Sequence, residues 1–240
     1  MAALIRQFKP KKCLESWVDY VWLVWEEQLS DARKHDIVIP LCHMNVVFNF
    51  SEDYFVDYDK TLYKMPSVVR VGLLDQAVKI HYGESVFQMG IALKLSEMTN
   101  AVFAKKHQGA YEIIKGKVYD GTPSLYALYD ALCGLEKSSV EREIKFEEML
   151  QLIWGFLEHS MDKTLKANAK NDRIIQENRQ ILHMIQYIED HLENFRVIQM
   201  AQVFNISVST LERKFKKEVG LSPKTFANIK RFLIQNKIQW

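Results

Sequence analysis

The sequence has few of the residues from which several common kinds of site are built. Its three cysteines, Cys13, Cys42 and Cys133, lie far apart without a CxxC pair, so we expect free thiols in a reducing compartment. Its nine glycines form no phosphate-binding loop, and none of its seven histidines belongs to an HxH or HExxH spacing. Nucleotide binding and zinc-protease chemistry have no support, and we expect no cofactor and no catalytic residues.

Long hydrophobic runs are also missing. No stretch reaches the roughly 18 uninterrupted apolar residues of a membrane span, and the apolar segment WVDYVWLVW contains Asp19. The first residues, MAALIRQFKPKK, lack an apolar run long enough for a signal peptide. The sequence therefore predicts a cytoplasmic protein.

Charge is distributed unevenly along a chain whose formal net charge is only +2. Residues 196–240 contain nine Lys or Arg and two Glu, a local charge of +7, whereas residues 1–195 contain 23 basic and 28 acidic residues. A basic end on an acidic body is expected where one part of a protein meets a polyanion. The 48% of apolar residues is sufficient for a sizeable core.

Residues 37–95 have the alternation of β-strands. In VVFNFSEDYFVDYD an apolar run is followed by a polar turn at 51–53 and then by alternating apolar residues. Period-two patterns recur in 66–95, where turn residues separate them at 74–76 and 83–84. Short strands with tight turns predict a barrel or a sandwich.

Helical patterns follow the β-rich part. Ser124 is expected to cap one helix, and Ser138 or Ser139 a longer one that ends near residue 160. The longer helix carries an apolar stripe at helical spacing, formed by Phe146, Met149, Leu150, Ile153 and Leu157. This stripe fits either the core of the chain or the seam of a homodimer through residues 139–160.

The segment MAQVFNISVSTLERKFKKEVGLSP, residues 200–223, has the spacing of a helix-turn-helix unit. Two helices that cross closely need a small contact residue, which Ala201 supplies, and Asn205 tolerates the left-handed conformation of a tight turn. Ile198 and either Val203 or Phe204 are expected to face inward with Ala201.

The helix that follows the turn has start and stop signals of its own. Ser207 is placed to cap it, Leu211 and Phe215 to face its core, and Gly220 to end it. A further helix is expected to start at Ser222 and Pro223.

This arrangement leaves a polar face for the major groove of double-stranded DNA. The side chains expected to face bases are Ser209, Glu212, Arg213 and Lys216. Arg bonds guanine in a bidentate manner, and Glu accepts from cytosine. The residues expected to contact phosphates are Ser207, Lys214, Lys217 and Lys224.

At this point the sequence resembles the AraC/XylS family of bacterial transcription regulators. The resemblance is carried by IEDHL, MAQVFNISVSTLERKFKKEVGLSPKTF and KRF, over about 50 residues from 181 to 231. By this resemblance, Ser209, Glu212, Arg213 and Lys216 match positions that typically face bases. The segments MNVVFNF and VFQMGIALKL are similar to a sensor-type domain found before such DNA-binding halves.

The resemblance implies an α+β chain with two domains. Residues 1–163 would form a β-rich, cupin-like barrel or sandwich with helices at its end, and residues 172–240 an all-α helix-turn-helix domain, separated by the polar segment 162–172. The first domain would sense a small-molecule effector or a partner and so change DNA affinity or contact with RNA polymerase. Family members usually carry two helix-turn-helix units, whereas residues 1–240 contain only the first, so we expect weak specific DNA binding by a monomer.

Alternatives from other functional classes remain open. The single helix-turn-helix fits a protein-interaction module that does not bind DNA. His43 and His81 on neighbouring strands of a cupin-like barrel would suit a metalloenzyme, although Cys42 beside His43 has no oriented partner that favours catalysis. Trp22 and Trp25 either line an effector pocket or pack the N-terminal segment against the barrel.

Overall fold

The chain folds into a β-rich part followed by a helical part. A computed structural model describes residues 4–95, 112–114, 117–168 and 172–236. Among these residues are eleven strands and six α-helices, and no helix is long and apolar enough to cross a bilayer. The predicted α+β fold class is confirmed.

The strands form two antiparallel sheets. They are β1 (Leu4–Phe8), β2 (Val18–Glu26), β3 (His35–Val38), β4 (Met44–Asn49), β5 (Phe55–Tyr58), β6 (Thr61–Lys64), β7 (Val68–Val71), β8 (Val78–His81), β9 (Val86–Leu93), β10 (Glu112–Ile114) and β11 (Val118–Asp120). The larger sheet has seven strands in the order β1-β2-β9-β4-β7-β11-β10, and the smaller has four in the order β3-β8-β5-β6. The predicted turns at 51–53, 74–76 and 83–84 all lie between strands.

β1 and β2 lie outside the segment in which strands are predicted. The aromatic stretch WVDYVWLVW forms most of β2, which pairs with β1 on one side and with β9 on the other. Its period-two signal, Tyr20, Trp22 and Val24, is obscured because Val21 and Leu23 between them are also apolar. A strand that is buried on both faces reads as a continuous apolar run.

The larger sheet is buried on both faces at its centre. All eight residues of β9 are buried. Phe87, Met89 and Ile91 belong to the core beneath the helices, whereas Gln88 and Gly90, which alternate with them, face the smaller sheet. One layer of backbone therefore separates two interiors.

The helices are α1 (Pro123–Glu136), α2 (Arg142–Asn168), α3 (Asp172–Asp190), α4 (Val197–Val203), α5 (Val208–Val219) and α6 (Pro223–Gln235). α1 and α2 cover the outer face of the larger sheet. Phe146 of α2 packs against Phe87 with 5.7 Å between ring centroids, and Arg6 of β1 pairs with Glu143 at 2.5 Å. Every residue of the predicted stripe on α2 is buried within the chain, which favours the core over a dimer seam.

Three helix boundaries differ from their predictions. α2 begins at Arg142, so neither Ser138 nor Ser139 caps it. Thr122 caps α1 by accepting a bond from the Leu125 amide, so Ser124 lies inside the first turn. α2 continues to Asn168, and α3 begins at Asp172. Most of the polar segment 162–172 is therefore helical, because Lys, Ala and Asn do not interrupt a helix; residues 169–171 lie outside the described residues.

The core beneath the larger sheet continues into the helical part. Ile181, Met184, Ile185 and Ile188 give α3 a buried face, and Phe215 of α5 meets Phe226 of α6 edge to face at 5.8 Å. The side chain of Arg231 donates to the Leu192 carbonyl at 2.6 Å, which ties α6 to the turn after α3.

We expect Phe215→Ala to lower the free energy of unfolding by about 3–5 kcal/mol, because the ring is completely buried and its loss leaves a cavity. The matched control is Phe232→Ala on α6, where the ring is 49% exposed and the cost should be no more than about 1 kcal/mol. Urea denaturation followed by circular dichroism measures both. If the two variants lost the same free energy of unfolding, the burial of Phe215 in the core would be contradicted.

Candidate nucleic-acid interface and interior cavity

The turn between α4 and α5 has the backbone geometry of a helix-turn-helix. Asn205 takes the left-handed conformation with φ 52°, and the amide of Ile206 donates to the Ala201 carbonyl at 3.0 Å. Ser207 caps α5 by accepting from the Thr210 amide at 3.2 Å, and Gly220 ends it with φ 88°. These predictions for Asn205, Ser207 and Gly220 are confirmed, as is the cap of α6 by Ser222.

The buried faces of α4 and α5 fix which side of α5 points outward. Leu211, Phe215 and Val219 of α5 are buried, as are Met200 and Ala201 of α4. The expectation for Ile198 is wrong, since it is 63% exposed, and of the two alternatives Val203 and Phe204 the structure selects Phe204, because Val203 is 64% exposed. The inward positions are instead Val197, Met200, Ala201 and Phe204, which recur at the helical spacing i, i+3, i+4, i+7.

The outward face of α5 is polar and largely cationic. Ser209, Glu212, Arg213 and Lys216 are all exposed, and so is Lys224 at the start of α6. Within the described part of the chain, no side chain hydrogen-bonds or pairs with Arg213, Lys216 or Lys224. Their positive charge is therefore available to an anionic partner.

The other side chains expected at phosphates have partners inside the protein. Lys214 is half-buried and donates to the Gln180 side chain of α3. Ser207 donates to the Thr210 hydroxyl at 2.9 Å besides capping the helix, and Lys217 pairs with Glu218 at 3.4 Å. The three side chains differ in exposure: Ser207 and Lys217 are exposed, whereas Lys214 is half-buried.

A cavity of about 290 Å³ lies between the two sheets. Branched apolar side chains from both sheets form most of its wall, among them Val47, Val56, Val69, Ile80 and Val118. Trp22 lines it. Trp25 does not, because it lies on the opposite face of β2 beneath the guanidinium of Arg142, 3.8 Å from the ring centroid.

Gly90 positions the indole of Trp22 against the sheet. The two residues are paired across β2 and β9, and a Cβ atom on Gly90 would lie only 2.0 Å from the indole carbon Cε2. The indole nitrogen donates to Oδ1 of Asn45 at 3.2 Å. The absence of a side chain at residue 90 is therefore what lets Trp22 form the cavity wall.

One end of the cavity carries a polar group of side chains. The Tyr20 hydroxyl lies 3.4 Å from Nε2 of His43, and Nδ1 of His43 lies 3.6 Å from the Asp19 carboxylate. The hydrogen bond with His43 lowers the pKa of Asp19 in spite of its partial burial, and Lys230 of α6 acts in the same direction. Sequence reasoning missed the contact of Asp19 and Tyr20 with His43, since these residues are more than twenty positions apart in the chain and meet only in the fold.

Residues 41–43 contact both the cavity and the helical part. Leu41 and His43 line the cavity, whereas Cys42 between them packs into the core shared with the helices. Burial raises the pKa of the Cys42 thiol to about 12, an effect that Lys230 opposes and Glu189 supports. Lys230 and Glu189 themselves form an ion pair of 2.6 Å between α6 and α3.

The histidines are not gathered into a metal site in the described residues. His81 on β8 stacks edge to face with His35 at 4.7 Å between ring centroids, not with His43, which precedes β4 in the other sheet. Within those residues no three of His, Cys, Asp or Glu come together in a way that would hold a metal ion. The described residues therefore provide no observation that favours the metalloenzyme alternative.

One family model matches part of the β-rich region. Residues 6–105 match the model of a domain of unknown function, DUF6597. No curated protein matches the chain.

Several solved structures are similar to the chain at low identity. The AraC-like transcriptional activator CuxR shares 12% identity over 98% of this chain and 86% of its own, with a TM-score of 0.33. ToxT from Vibrio cholerae O395 shares 10% over 90% and 98%, with a TM-score of 0.33. The Cupin_2 domain of an XRE family transcriptional regulator from Enterobacter cloacae shares 10% over 38% and 96%, with a TM-score of 0.29.

We expect Gly90→Ala to destabilise the protein by about 1–3 kcal/mol, because the added methyl group overlaps the Trp22 ring and must displace it. Thermal unfolding and tryptophan fluorescence measure the change. The control is Gly134→Ala in α1, where a Cβ meets nothing within 4 Å and helix propensity favours alanine. An unchanged melting temperature for Gly90→Ala would contradict the position of Trp22.

We expect iodoacetamide at pH 8 to modify Cys13 well before Cys42. Cys13 is exposed, whereas a pKa of about 12 leaves on the order of one Cys42 thiol in ten thousand ionised at that pH. Peptide mass spectrometry after timed quenching measures the two rates, and unfolding in urea should bring them together. Comparable rates in the native protein would show that Cys42 is not buried by the helical part.

Proposed function

We propose that the chain is a DNA-binding transcription regulator, located in the cytoplasm, in which α5 is the recognition helix. The observation that carries this proposal is the orientation of α5. Its apolar residues are all turned inward by α4 and α6, and its cations without partners are all turned outward. A helix presented in this way fits the major groove of B-DNA.

The base-facing set would be Ser209, Glu212, Arg213 and Lys216. Arg213 supplies a bidentate donor suited to guanine, and Glu212 an acceptor suited to the amino group of cytosine. Because two neighbouring residues prefer different bases, we expect the helix to select a defined DNA sequence and not only to be attracted to any polyanion.

The phosphate contacts would come from Ser207, Lys217 and Lys224. Lys224 lies in the first turn of α6, where the amides of the helix terminus add to its charge. Lys214 would reach a phosphate only after it leaves Gln180, so in the free protein it serves as a tie between α5 and α3.

The β-rich part would act as the sensor of a small-molecule effector, and the cavity with Trp22 would be its site. Residues 41–43 provide a route to the helical part, because their alternate side chains face the cavity and the core that the helices share. An effector that shifts Leu41 or His43 must also shift Cys42, which lies within the electrostatic reach of Lys230 and Glu189. The expected consequence is a change in DNA affinity or in contact with RNA polymerase.

We expect the double variant Arg213→Ala/Lys216→Ala to bind DNA more weakly than the wild type. Loss of the Arg213 base contact alone should cost about 1–3 kcal/mol, whereas the slope of log affinity against log salt should change little, because Lys217 and Lys224 remain to contact phosphates. The measurement is fluorescence anisotropy with a duplex that the wild-type chain selects from a randomised pool, titrated at several salt concentrations.

The matched control is Lys79→Ala/Lys163→Ala, which removes the same charge from exposed positions on β8 and α2. This control should retain both the affinity and most of the salt slope. Equal behaviour of the two double variants would contradict the recognition-helix assignment. If the wild type selects no duplex at all, the protein-interaction alternative for the helix-turn-helix replaces the proposal.

A further inference from the structure

The hydrogen bonds around the cavity determine which atom of Asn45 faces it. The indole of Trp22 can only donate, so the atom of Asn45 that it meets at 3.2 Å is the amide oxygen. The amide nitrogen of Asn45 makes no hydrogen bond to the described part of the chain. At the polar end of the cavity, Asn45 therefore presents two N–H donors.

The same reasoning determines the orientation of the Gln88 side-chain amide, that is, which of its two atoms faces Asn49. The nitrogen of Asn49 donates to the carbonyls of Ser51 and Glu52, so its oxygen points toward Gln88. Gln88 must then present its nitrogen to Asn49, at 3.2 Å, which leaves its own amide oxygen as the atom with no bond to the described residues. Since Asn49 is paired with Gln88 and lies four residues from Asn45, this acceptor is about 13 Å along the strand from the Asn45 donor.

Among the residues that the structure describes, the wall of the cavity contains no fixed positive charge. No described Lys or Arg lines it, Asp36 contributes a carboxylate, and the Nδ1 of His43 is turned to Asp19. A ligand carboxylate buried here would lose its hydration at a large cost in free energy, because the basic side chain of the described wall, His43, already faces the Asp19 carboxylate. Branched aliphatic and aromatic groups, by contrast, would lie against apolar surface along the whole length.

The volume of the cavity limits the size of its ligand. If each heavy atom of a ligand takes about the 30 Å³ that a water molecule takes in the liquid, a space of about 290 Å³ holds roughly ten of them. Sugars of this size would leave most of their hydroxyl groups against valine and isoleucine.

We propose that the cavity binds an uncharged, mainly apolar molecule of about ten non-hydrogen atoms that carries a carbonyl-type hydrogen-bond acceptor, which Asn45 recognises. This inference rests on the proposed function in that it takes the cavity as the effector site. The chemistry itself is set by the described lining residues, which provide a neutral donor at one end, an apolar middle, and no lysine or arginine to bind an acid.

The test uses three straight-chain probes of similar size, which differ in charge and polar group: 2-nonanone, octanoate and nonylamine. Binding to the full chain is measured by isothermal titration calorimetry at neutral pH, without DNA. Trp22 lies in the wall, so quenching of tryptophan fluorescence gives a second readout. We expect 2-nonanone to bind at least tenfold more tightly than either charged probe.

The decisive variant is Asn45→Asp, which keeps an oxygen for Trp22 and replaces the N–H donors by a second acceptor. Affinity for 2-nonanone should fall about tenfold or more, because the carbonyl would meet a carboxylate. The matched control is Asn194→Asp at an exposed position of the helical part, which should leave the affinity unchanged. If Asn45→Asp does not fold, Val71→Phe, at a half-buried lining position, provides a replacement that should abolish binding by filling the space.

Three results would overturn the proposal: no binding of 2-nonanone by the wild type, octanoate binding as tightly as the ketone, or a folded Asn45→Asp or Val71→Phe variant with unchanged affinity. None of them depends on DNA. Failure of the ligand proposal therefore leaves the DNA titration of Arg213 and Lys216 intact, and failure of that titration leaves the ligand result intact.

Discussion

The double burial of the larger sheet is the constraint on which the rest of the structure depends. A strand such as β9 has no solvent face, so it requires an apolar layer on each side. α1 and α2 supply one layer, and the smaller sheet supplies the other. Because the smaller sheet does not close completely on the larger one, the second interior contains a cavity, whereas the first is filled by side chains such as Phe48, Met89 and Phe146.

Ion pairs join α2 to the N-terminal part of the chain. α2 is anchored along its first turns by Glu143 with Arg6, and further along by Glu158 with Lys11 at 2.9 Å. Ion pairs of this kind on the surface contribute little stability by themselves, but they fix the direction of the helix. The direction of α2 in turn determines where α3 begins, and α3 supplies the buried face on which α5 and α6 pack.

The helix-turn-helix could be predicted because its turn and caps depend on residues close together in the sequence. The cavity could not, because its lining residues come from strands that are far apart in the sequence. Asn205, Ser207, Gly220 and Ser222 each satisfy a backbone requirement within a few residues, so spacing alone identifies them. Tyr20, Asn45 and Gln88 lie on three different strands, and no local pattern brings them together. The error at Ile198 has a similar origin: in a helix of seven residues, two apolar registers fit almost equally well, and only packing against Tyr187 by Phe204 selects one.

The hydrogen bond between Lys214 and Gln180 gives the helical part a property that neither residue has alone. One ammonium group is shared between an internal hydrogen bond and the surface proposed to bind DNA, and it cannot serve both at the same moment. Whatever strengthens the packing of α5 on α3 thus withholds one positive charge from the nucleic acid, and whatever loosens it releases that charge. At Lys214, a tighter attachment of α5 to α3 therefore comes with a weaker positive charge on the outward surface of α5.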